Sequence, residues 1–311
     1  MATTDRMGSL KLKNALALVA SAIMMSACAQ APKCDVQAHR GGAGLMPENT
    51  FSSMKNALEL GVGTLEMDFW MSADHKLVVS HDSYFHPRYA TRPDGTLIAK
   101  EDPKEYLYTM PYDSIAKYDV GKRPTEVWPE KECKPEVKPL AEELLAFTES
   151  YAKELGRELP RYNIEMKYSH NEGEGELWAP INETIDSSMA LFNRLGILDR
   201  VIVQCFDPAG LEYMNTAYPD AILAFLTGKK VKTYEDIVSQ LTFKPEWISP
   251  EFSVVTEEMV AKCHADGIRI VPWTPDQPED ITRMIEYGCD AVITNYPDRM
   301  IRILKDWNKK K

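Results

Sequence analysis

The sequence predicts an α/β protein folded as a (β/α)₈ TIM barrel, and two observations support this prediction. Short apolar runs alternate with segments of 3.6-residue hydrophobic spacing along most of the 311 residues. Eight such runs fit the barrel, and eight is its strand number. A hydrophobic content of 44% is compatible with one large α/β domain or two small ones. The regular alternation favours the single barrel.

The predicted elements follow one another in simple order along the chain. Helical patterns separate most of the apolar runs, as expected for strands that run parallel. The runs begin at Val36, Thr64, Asn163, Val201, Ala221, Trp247, Arg269 and Ala291. The helical patterns include Phe51 to Leu60, Leu140 to Leu155, Ile181 to Leu195, Val255 to Asp266 and Pro278 to Tyr287.

A further apolar run, Leu77 to Ser80, does not fit the barrel count. It follows the second strand after only the short polar turn from Ser72 to Lys76. A parallel return needs a crossover of a dozen or more residues, so this spacing predicts an antiparallel hairpin. The hairpin would carry the next residue, His81, back towards the strand ends.

The first 29 residues are typical of a secretory signal, because two lysines precede the apolar stretch from Ala15 to Ala29. At 15 residues the stretch is too short for a transmembrane helix, which needs about 20. Met25-Ser26-Ala27-Cys28 resembles the bacterial lipoprotein box, which implies lipidation of Cys28 and a membrane anchor. Ordinary cleavage after Ala29 is the alternative. Both predict an exported chain, either periplasmic or at the cell surface.

Charge and cysteine content exclude some classes of function. The balance of 36 basic against 47 acidic residues leaves no excess positive charge for a nucleic-acid partner. Five cysteines remain after Cys28, and their spacing fits neither a zinc site nor an assignable disulfide framework. Cys34 and Cys133 are the one pair of loop cysteines worth testing for a bridge.

Charged residues gather at the predicted C-terminal ends of the first three strands, where barrel enzymes build their active sites. Residues two positions apart on a strand point to the same side. Three carboxylates in one barrel mouth repel unless cations neutralise them, and a hard divalent cation does so more completely than basic side chains. The residues are His39 and Arg40 after the first strand, Glu66 and Asp68 on the second, and Glu165 and Lys167 on the third.

Each of these patterns also has a structural alternative. A Glu-x-Asp pair in a strand is typical of a solvated face or a salt bridge, and His81-Asp82 of a turn. The arrival of both His39 and His81 beside the carboxylates favours a site. Glu48 is expected either to cap the next helix or to belong to the site. Trp273 is expected to lie half in the core and half in the pocket wall.

On the basis of these motifs, the chain resembles the glycerophosphodiester phosphodiesterase family. The resemblance covers about Val36 to Ile303, and one departure is Cys205, where the family usually has Ser. The strongest matches are His39-Arg40-Gly41 with Pro47-Glu48-Asn49-Thr50, Glu66-x-Asp68, Val79-Ser80-His81-Asp82 and Glu165-x-Lys167. Weaker matches are Lys138-Pro139-Leu140, Phe206-Asp207-Pro208, Trp273-Thr274 and Ile293-Thr294-Asn295-Tyr296-Pro297.

The resemblance implies a metal-dependent hydrolase that converts glycerophosphodiesters to glycerol 3-phosphate and an alcohol. One divalent ion, Ca²⁺ or Mg²⁺, would be held by the three carboxylates. Two histidines would share general acid and base work, with a cyclic phosphate as the expected intermediate. The implied roles are metal binding for Glu66, Asp68 and Glu165, catalysis for His39 and His81, and substrate binding for Arg40, Lys167 and Trp273.

The resemblance also implies a barrel at 34–303 that carries a small insertion at 82–138. With the signal region at 1–29 and a basic tail at 304–311, both read from the residues, this completes the predicted domain organisation. Two other functions stay open at this stage. One is phospholipase D-like action on lysophospholipids, and the other is a surface lipoprotein whose main role is binding.

Overall fold

The computed structural model describes residues 34–168 and 173–309. The predicted signal region and Cys28 lie outside the described residues. Nine strands are found among those described: β1 (Asp35–Ala38), β2 (Thr64–Met71), β3 (Leu77–Val79), β4 (Arg161–Met166), β5 (Val201–Cys205), β6 (Ile222–Thr227), β7 (Trp247–Pro250), β8 (Arg269–Ile270) and β9 (Ala291–Thr294).

Helices fill most of the connections between these strands. Short 3₁₀ turns are found at His39–Gly41, Leu107–Thr109, Leu198–Arg200 and Phe252–Val254. The α-helices are α1 (Phe51–Leu60), α2 (Tyr112–Ile115), α3 (Ala141–Glu154), α4 (Ile181–Leu195), α5 (Pro208–Ala217), α6 (Tyr234–Val238), α7 (Glu257–Ala265), α8 (Pro278–Glu286) and α9 (Pro297–Lys309).

Eight of the strands form a nearly closed parallel barrel, which confirms the predicted fold class. The strand order is β8-β7-β6-β5-β4-β2-β1-β9, and every neighbouring pair in it is parallel. A single parallel bridge between Trp273 and Ile293 links the two end strands. The Ile293 backbone N–H donates to the carbonyl of Pro272 at 3.0 Å. The carboxyl ends of all eight strands therefore face one mouth.

The predicted hairpin is also present. β3 pairs antiparallel with β2, with Phe69 opposite Val79 and Met71 opposite Leu77. The Ser80 backbone N–H then donates to the carbonyl of Asp68 at 2.9 Å. This pairing returns the chain to the barrel mouth, as the short turn after β2 predicts.

Helix α1 begins with a capping box that decides the role of Glu48. The Ser53 backbone N–H donates to the Thr50 hydroxyl at 3.4 Å, and the Thr50 backbone N–H donates to the Ser53 hydroxyl at 3.1 Å. This reciprocal pair satisfies two free donors of the first helical turn. The cap is therefore Thr50, and the capping alternative for Glu48 is wrong.

The segment 82–138 has its own small core beside the hairpin. Trp70 and Val78 of the hairpin are buried against Phe85 and Ile115. The rings of Phe85 and Tyr118 stack with centroids 3.8 Å apart. The insertion is thus fixed to the strand pair that leads into the barrel mouth.

Three other features of the described residues bear on the predictions. Helix α9 runs to Lys309, so the segment predicted as a tail begins inside this helix, where Leu304 packs against the core.

Cys34 is buried and Cys133 is exposed, and both are free thiols, so the candidate bridge is not formed. In the ranges 34–168 and 173–309, no helix has the length and hydrophobicity needed to cross a bilayer.

Candidate active site

The three predicted acidic residues lie together because their strands are neighbours. β2 pairs directly with β4, in a register that places Asp68 opposite Glu165. Glu66, Asp68 and Glu165 are 1%, 0% and 8% exposed, respectively. One carboxylate oxygen of each residue lies within 4.8 Å of the other two. The structure therefore gathers these acids in one buried cluster.

Polar neighbours orient two of these carboxylates. The Arg40 backbone N–H donates to Glu66 Oε2 at 2.7 Å, and Gln204 Nε2 donates to Glu66 Oε1 at 3.0 Å. Asn49 Nδ2 donates to Asp68 Oδ2 at 2.8 Å. These fixed donors hold the acids in place before any ligand arrives. The sequence analysis gave neither residue a role, although Asn49 lies in the motif Pro47-Glu48-Asn49-Thr50.

Burial makes the negative charge of the cluster expensive. It raises the pKa of Glu66, to which the Asp68 carboxylate adds, and it raises the pKa of Glu165 although Lys167 opposes the change. Burial would also raise the pKa of Asp68, but Lys167 and the other basic neighbours outweigh it and hold that pKa below its ordinary value. The acids thus compete for positive charge.

Two predicted basic residues supply part of that charge. Lys167 Nζ lies 2.8 Å from Glu165 Oε1 and 3.6 Å from Asp68 Oδ1. Arg40 Nη1 lies 2.8 Å from Glu48 Oε1, and its Nε lies 3.6 Å from Asp68 Oδ2. Glu48 therefore belongs to the site. Two cations face four carboxylates, so the fully ionised group carries a net charge of −2.

The acidic cluster fits a hard divalent cation. Asp68 Oδ1 is buried and has no hydrogen-bond donor, which leaves a strong acceptor available. All three residues of the cluster offer carboxylate oxygen, the ligand that Ca²⁺ and Mg²⁺ prefer, and none offers the thiolate or imidazole typical of structural zinc sites. The burial of the three carboxylates and their excess negative charge also favour a hard divalent cation.

His39 is held in one orientation by a residue far along the chain. Its Nδ1 lies 2.6 Å from Asn295 Oδ1. Asn295 Nδ2 donates to Asp276 Oδ2 at 2.8 Å, so the Asn295 oxygen is the acceptor for the His39 Nδ1–H. This assignment from the hydrogen-bond network leaves Nε2 of His39 unprotonated. Burial, with Arg40 as the next cause, lowers the pKa of His39 to about 3.

The second histidine of the site belongs to the hairpin exit. His81 Nδ1 lies 3.0 Å from Asp82 Oδ1, and the Tyr89 hydroxyl donates to Asp82 Oδ2 at 3.3 Å. Trp70 Nε1 donates to the His81 carbonyl at 3.0 Å. His81 thus has a carboxylate partner, whereas His39 has an amide partner.

Both histidines line one cavity of about 220 Å³ at the barrel mouth. Its far wall is apolar: the rings of Phe206 and Trp273 are perpendicular with centroids 5.6 Å apart. Trp273 packs against core residues and also lines the cavity, and its Nε1 donates to the Ser249 carbonyl at 2.9 Å. The cavity can hold a small molecule with an anionic end and an uncharged body. Its lining is His39, Arg40, Glu66, His81, Glu165, Lys167, Gln204, Phe206, Leu226, Trp273, Thr274 and Ile293.

A buried lysine near this site was not given a role by sequence reasoning. Lys138 is 4% exposed, and its Nζ donates to the Ser80 hydroxyl at 2.5 Å. The ammonium lies 5.5 Å and 5.7 Å from the ring centroids of Phe85 and Tyr89. Burial lowers its pKa to about 8, although the Asp82 carboxylate opposes the change. The only sequence signal was its place in Lys138-Pro139-Leu140.

This lowered pKa predicts a pH-dependent stability. Between about pH 8 and the ordinary lysine pKa of 10.5, the folded protein has released a proton that the unfolded chain still holds. The contribution of Lys138 to the free energy of unfolding therefore rises with pH, by on the order of 2 kcal/mol between pH 7 and pH 10. We expect Lys138→Met to remove this increment, measured as the free energy of urea unfolding across that range in chelator.

Lys122→Met is the matched control, because Lys122 is exposed on the same insertion and pairs with Asp119. The free energy of unfolding of Lys122→Met should vary with pH as that of the parent does. If Lys138→Met also varies with pH as the parent does, Lys138 is not the source of the pH-dependent stability.

Comparison with known proteins identifies relatives over most of the chain. Residues 39–299 match the model of the glycerophosphoryl diester phosphodiesterase family. The glycerophosphodiester phosphodiesterase of Caldanaerobacter subterraneus subsp. tengcongensis is 26% identical, over 87% of this chain and 97% of its own. That of Bacillus altitudinis is 27% identical, over 86% and 97%. The lysophospholipase D GDPD1 of Homo sapiens is 24% identical, over 87% and 86%.

Solved structures share the barrel. A phosphodiesterase from Oleispira antarctica, in complex with the product sn-glycerol-3-phosphate, superposes with a TM-score of 0.68 at 20% identity and covers 87% of this chain and 96% of its own. A glycerophosphodiester phosphodiesterase from Parabacteroides distasonis superposes with a TM-score of 0.64 at 20% identity, with coverages of 89% and 99%. At these identities the two structures support the fold alone.

Proposed function

The chain belongs to the glycerophosphoryl diester phosphodiesterase family, and we propose that it hydrolyses glycerophosphodiesters to glycerol 3-phosphate and an alcohol. The observation that carries this proposal is one cavity in which a buried acidic cluster, two basic side chains and two histidines meet. The product bound to the Oleispira antarctica phosphodiesterase is of the expected kind. The apolar part of the cavity lining suits the uncharged part of such a substrate.

Metal binding is the first part of the proposed mechanism. Glu66, Asp68 and Glu165 would hold one Ca²⁺ or Mg²⁺ ion through their carboxylate oxygens. When bound, such an ion offsets charge that develops on phosphoryl oxygens and orients the phosphodiester. The two positive charges of the ion would also balance the net charge of −2 that remains on the site residues after Arg40 and Lys167 are counted.

Arg40 and Lys167 would bind the phosphodiester itself. The planar guanidinium of Arg40 suits two oxygens at once, whereas the Lys167 ammonium acts as a point charge. Both are held by carboxylates that keep them at the mouth. Trp273 and Phe206 would contact the uncharged part of the substrate.

The two histidines would divide the proton transfers. The unprotonated Nε2 of His39 would accept a proton from the nucleophile, because its Nδ1–H is committed to Asn295. His81, whose Nδ1 is oriented by the Asp82 carboxylate, would donate a proton to the leaving alcohol. The glycerol 2-hydroxyl is already tethered beside the phosphate, and tethered groups reach effective molarities of about 10⁵ M or more. We therefore favour internal attack and a cyclic 1,2-phosphate, opened by water with the two roles exchanged.

Metal dependence is the most general consequence. Chelation should abolish turnover, and a divalent cation should restore it. Glu66→Gln should lower kcat/KM by about 100-fold or more, since even an outer partner of a metal ligand typically contributes 10- to 100-fold. Turnover of a glycerophosphodiester with and without added cation is the measurement.

Glu251→Gln is a matched control for this substitution. Glu251 is also buried and directly follows the barrel strand β7, but it is not part of the acidic cluster. It should keep activity near that of the parent. Full activity of exhaustively chelated parent protein would exclude the metal role.

The route of hydrolysis is testable with a substrate that lacks the 2-hydroxyl. Internal attack requires this group, so the deoxy substrate should react no faster than the background set by His39→Ala and His81→Ala. The normal substrate should also yield a transient cyclic phosphate, detectable by phosphorus NMR. Deoxy substrate hydrolysed at the normal rate would leave direct attack by water as the mechanism.

Export and lipid anchoring form a separate proposal. It is supported by the charged and apolar pattern of residues 1–29 and by the lipobox-like tetrapeptide that ends at Cys28. Cys28→Ser should prevent lipidation and move the protein from the membrane fraction to the soluble fraction. If the variant fractionates with membranes as the parent does, Cys28 is not the attachment point.

One observation favours a second candidate substrate. Phe206 is 40% exposed beside Trp273, which gives the mouth an apolar rim. Such a rim suits the acyl chain of a lysophospholipid, and one relative of this chain is a lysophospholipase D. The ratio of kcat/KM for glycerophosphocholine to that for lysophosphatidylcholine distinguishes the two substrate classes.

A further inference from the structure

The insertion contains a second cavity, and it is larger than the one at the barrel mouth. Its volume is about 740 Å³, against about 220 Å³ for the active-site cavity. This volume is within the range that small-molecule sites occupy, about 300–1,000 Å³. The wall is formed by residues 84–88, 98–100 and 102–104, together with Arg123.

The charge of this insertion cavity is opposite to that of the chain. The chain has a formal net charge of −11, yet four basic side chains line the cavity. Asp102 is the acidic residue of the lining, and it is paired with Arg92 at 2.8 Å. Within the described ranges, none of the four basic residues forms an ion pair. They are Arg88, Lys100, Lys104 and Arg123.

Neighbouring groups fix part of this basic wall. Arg123 Nη1 donates to the carbonyls of Pro87 and Ala90 at 2.7 and 2.9 Å. Lys104 Nζ lies 4.2 Å from the centroid of the Tyr84 ring, and that ring stacks on His86 with centroids 6.0 Å apart. The cavity therefore combines unpaired positive charge with flat ring surfaces. This combination suits a phosphate group attached to an organic body.

A short series of contacts joins the insertion cavity to the active site. His86, which lines the cavity, stacks on Tyr89 with centroids 5.5 Å apart. The Tyr89 hydroxyl donates to Asp82, and Asp82 is the partner of His81. His86 follows His81 by five residues, which span about 17 Å at most. The insertion cavity and the active site are therefore neighbours, joined through His86, Tyr89 and Asp82.

We propose that the insertion cavity binds a second phosphate, carried by the alcohol portion of the glycerophosphodiester substrate. The proposal rests on the phosphodiesterase activity proposed above, and it specifies the substrate class. The enzyme then prefers diesters whose leaving alcohol is itself a phosphomonoester. Glycerophosphoglycerol and its terminal phosphomonoester form a matched substrate pair, because they differ in one phosphate.

The kinetic test uses this pair with Arg88→Ala, Lys104→Ala and the control Lys122→Ala. We expect the parent to have a KM about tenfold lower for the phosphorylated substrate, as one or two charge-assisted hydrogen bonds would give. The two cavity variants should lose this preference and keep the parent KM for glycerophosphoglycerol. Lys122→Ala should behave as the parent does. Equal KM values in the parent, or an equal change for both substrates in the variants, would overturn the proposal.

A binding measurement separates this proposal from the proposed function. In the catalytically silent variant His39→Ala, the phosphorylated substrate should protect Lys104 from acylation, as quantified by mass spectrometry, while glycerophosphoglycerol should not. Lys122 is the internal control in the same protein. Absence of protection overturns the insertion-cavity proposal. Failure of the parent to turn over either substrate would instead contradict the phosphodiesterase activity.

Discussion

The burial of three carboxylates at the ends of adjacent strands is the constraint on which the barrel mouth depends. Each buried charge loses solvation worth on the order of several kcal/mol, and the acids also repel one another. Around Glu66, Asp68 and Glu165 the chain therefore places fixed donors and two basic side chains. These neighbours offset only part of the negative charge. The remaining negative charge is expected of a site that receives a cation together with an anionic substrate.

The same constraint explains how the two histidines differ. His39 is partly buried beside Arg40 and its Nδ1–H is bonded to an amide, so its Nε2, 4.0 Å from Glu66 Oε2, is the nitrogen left to accept a proton. His81 lies on the hairpin, outside the barrel wall, with a carboxylate partner in Asp82. A histidine with an accepting nitrogen and a histidine paired with a carboxylate are suited to base and acid roles, respectively. The hairpin and insertion are therefore part of the site, since they supply the second histidine and the surroundings of its partner.

Local sequence patterns were sufficient to predict most of this arrangement. The alternation of strand and helix, and the two-residue spacing of Glu66 and Asp68, are properties of short segments. The role of Asn295 could not be predicted, because it depends on a contact with His39 across 256 positions. The buried environment of Lys138 likewise exists only after the insertion packs on the hairpin. Only the folded contacts decided between the alternatives for Glu48.

A crystal structure of the parent protein with Mn²⁺ and glycerol 3-phosphate, with anomalous scattering to locate the metal, tests the acidic cluster most directly. If the cluster is the metal site, one strong anomalous peak lies within about 2.0–2.6 Å of an oxygen from each of Glu66, Asp68 and Glu165. The phosphate of the ligand should lie between this peak and the side chains of Arg40 and Lys167. A metal bound elsewhere, or a phosphate bound in the mouth with no metal at the three carboxylates, would contradict this role of the cluster.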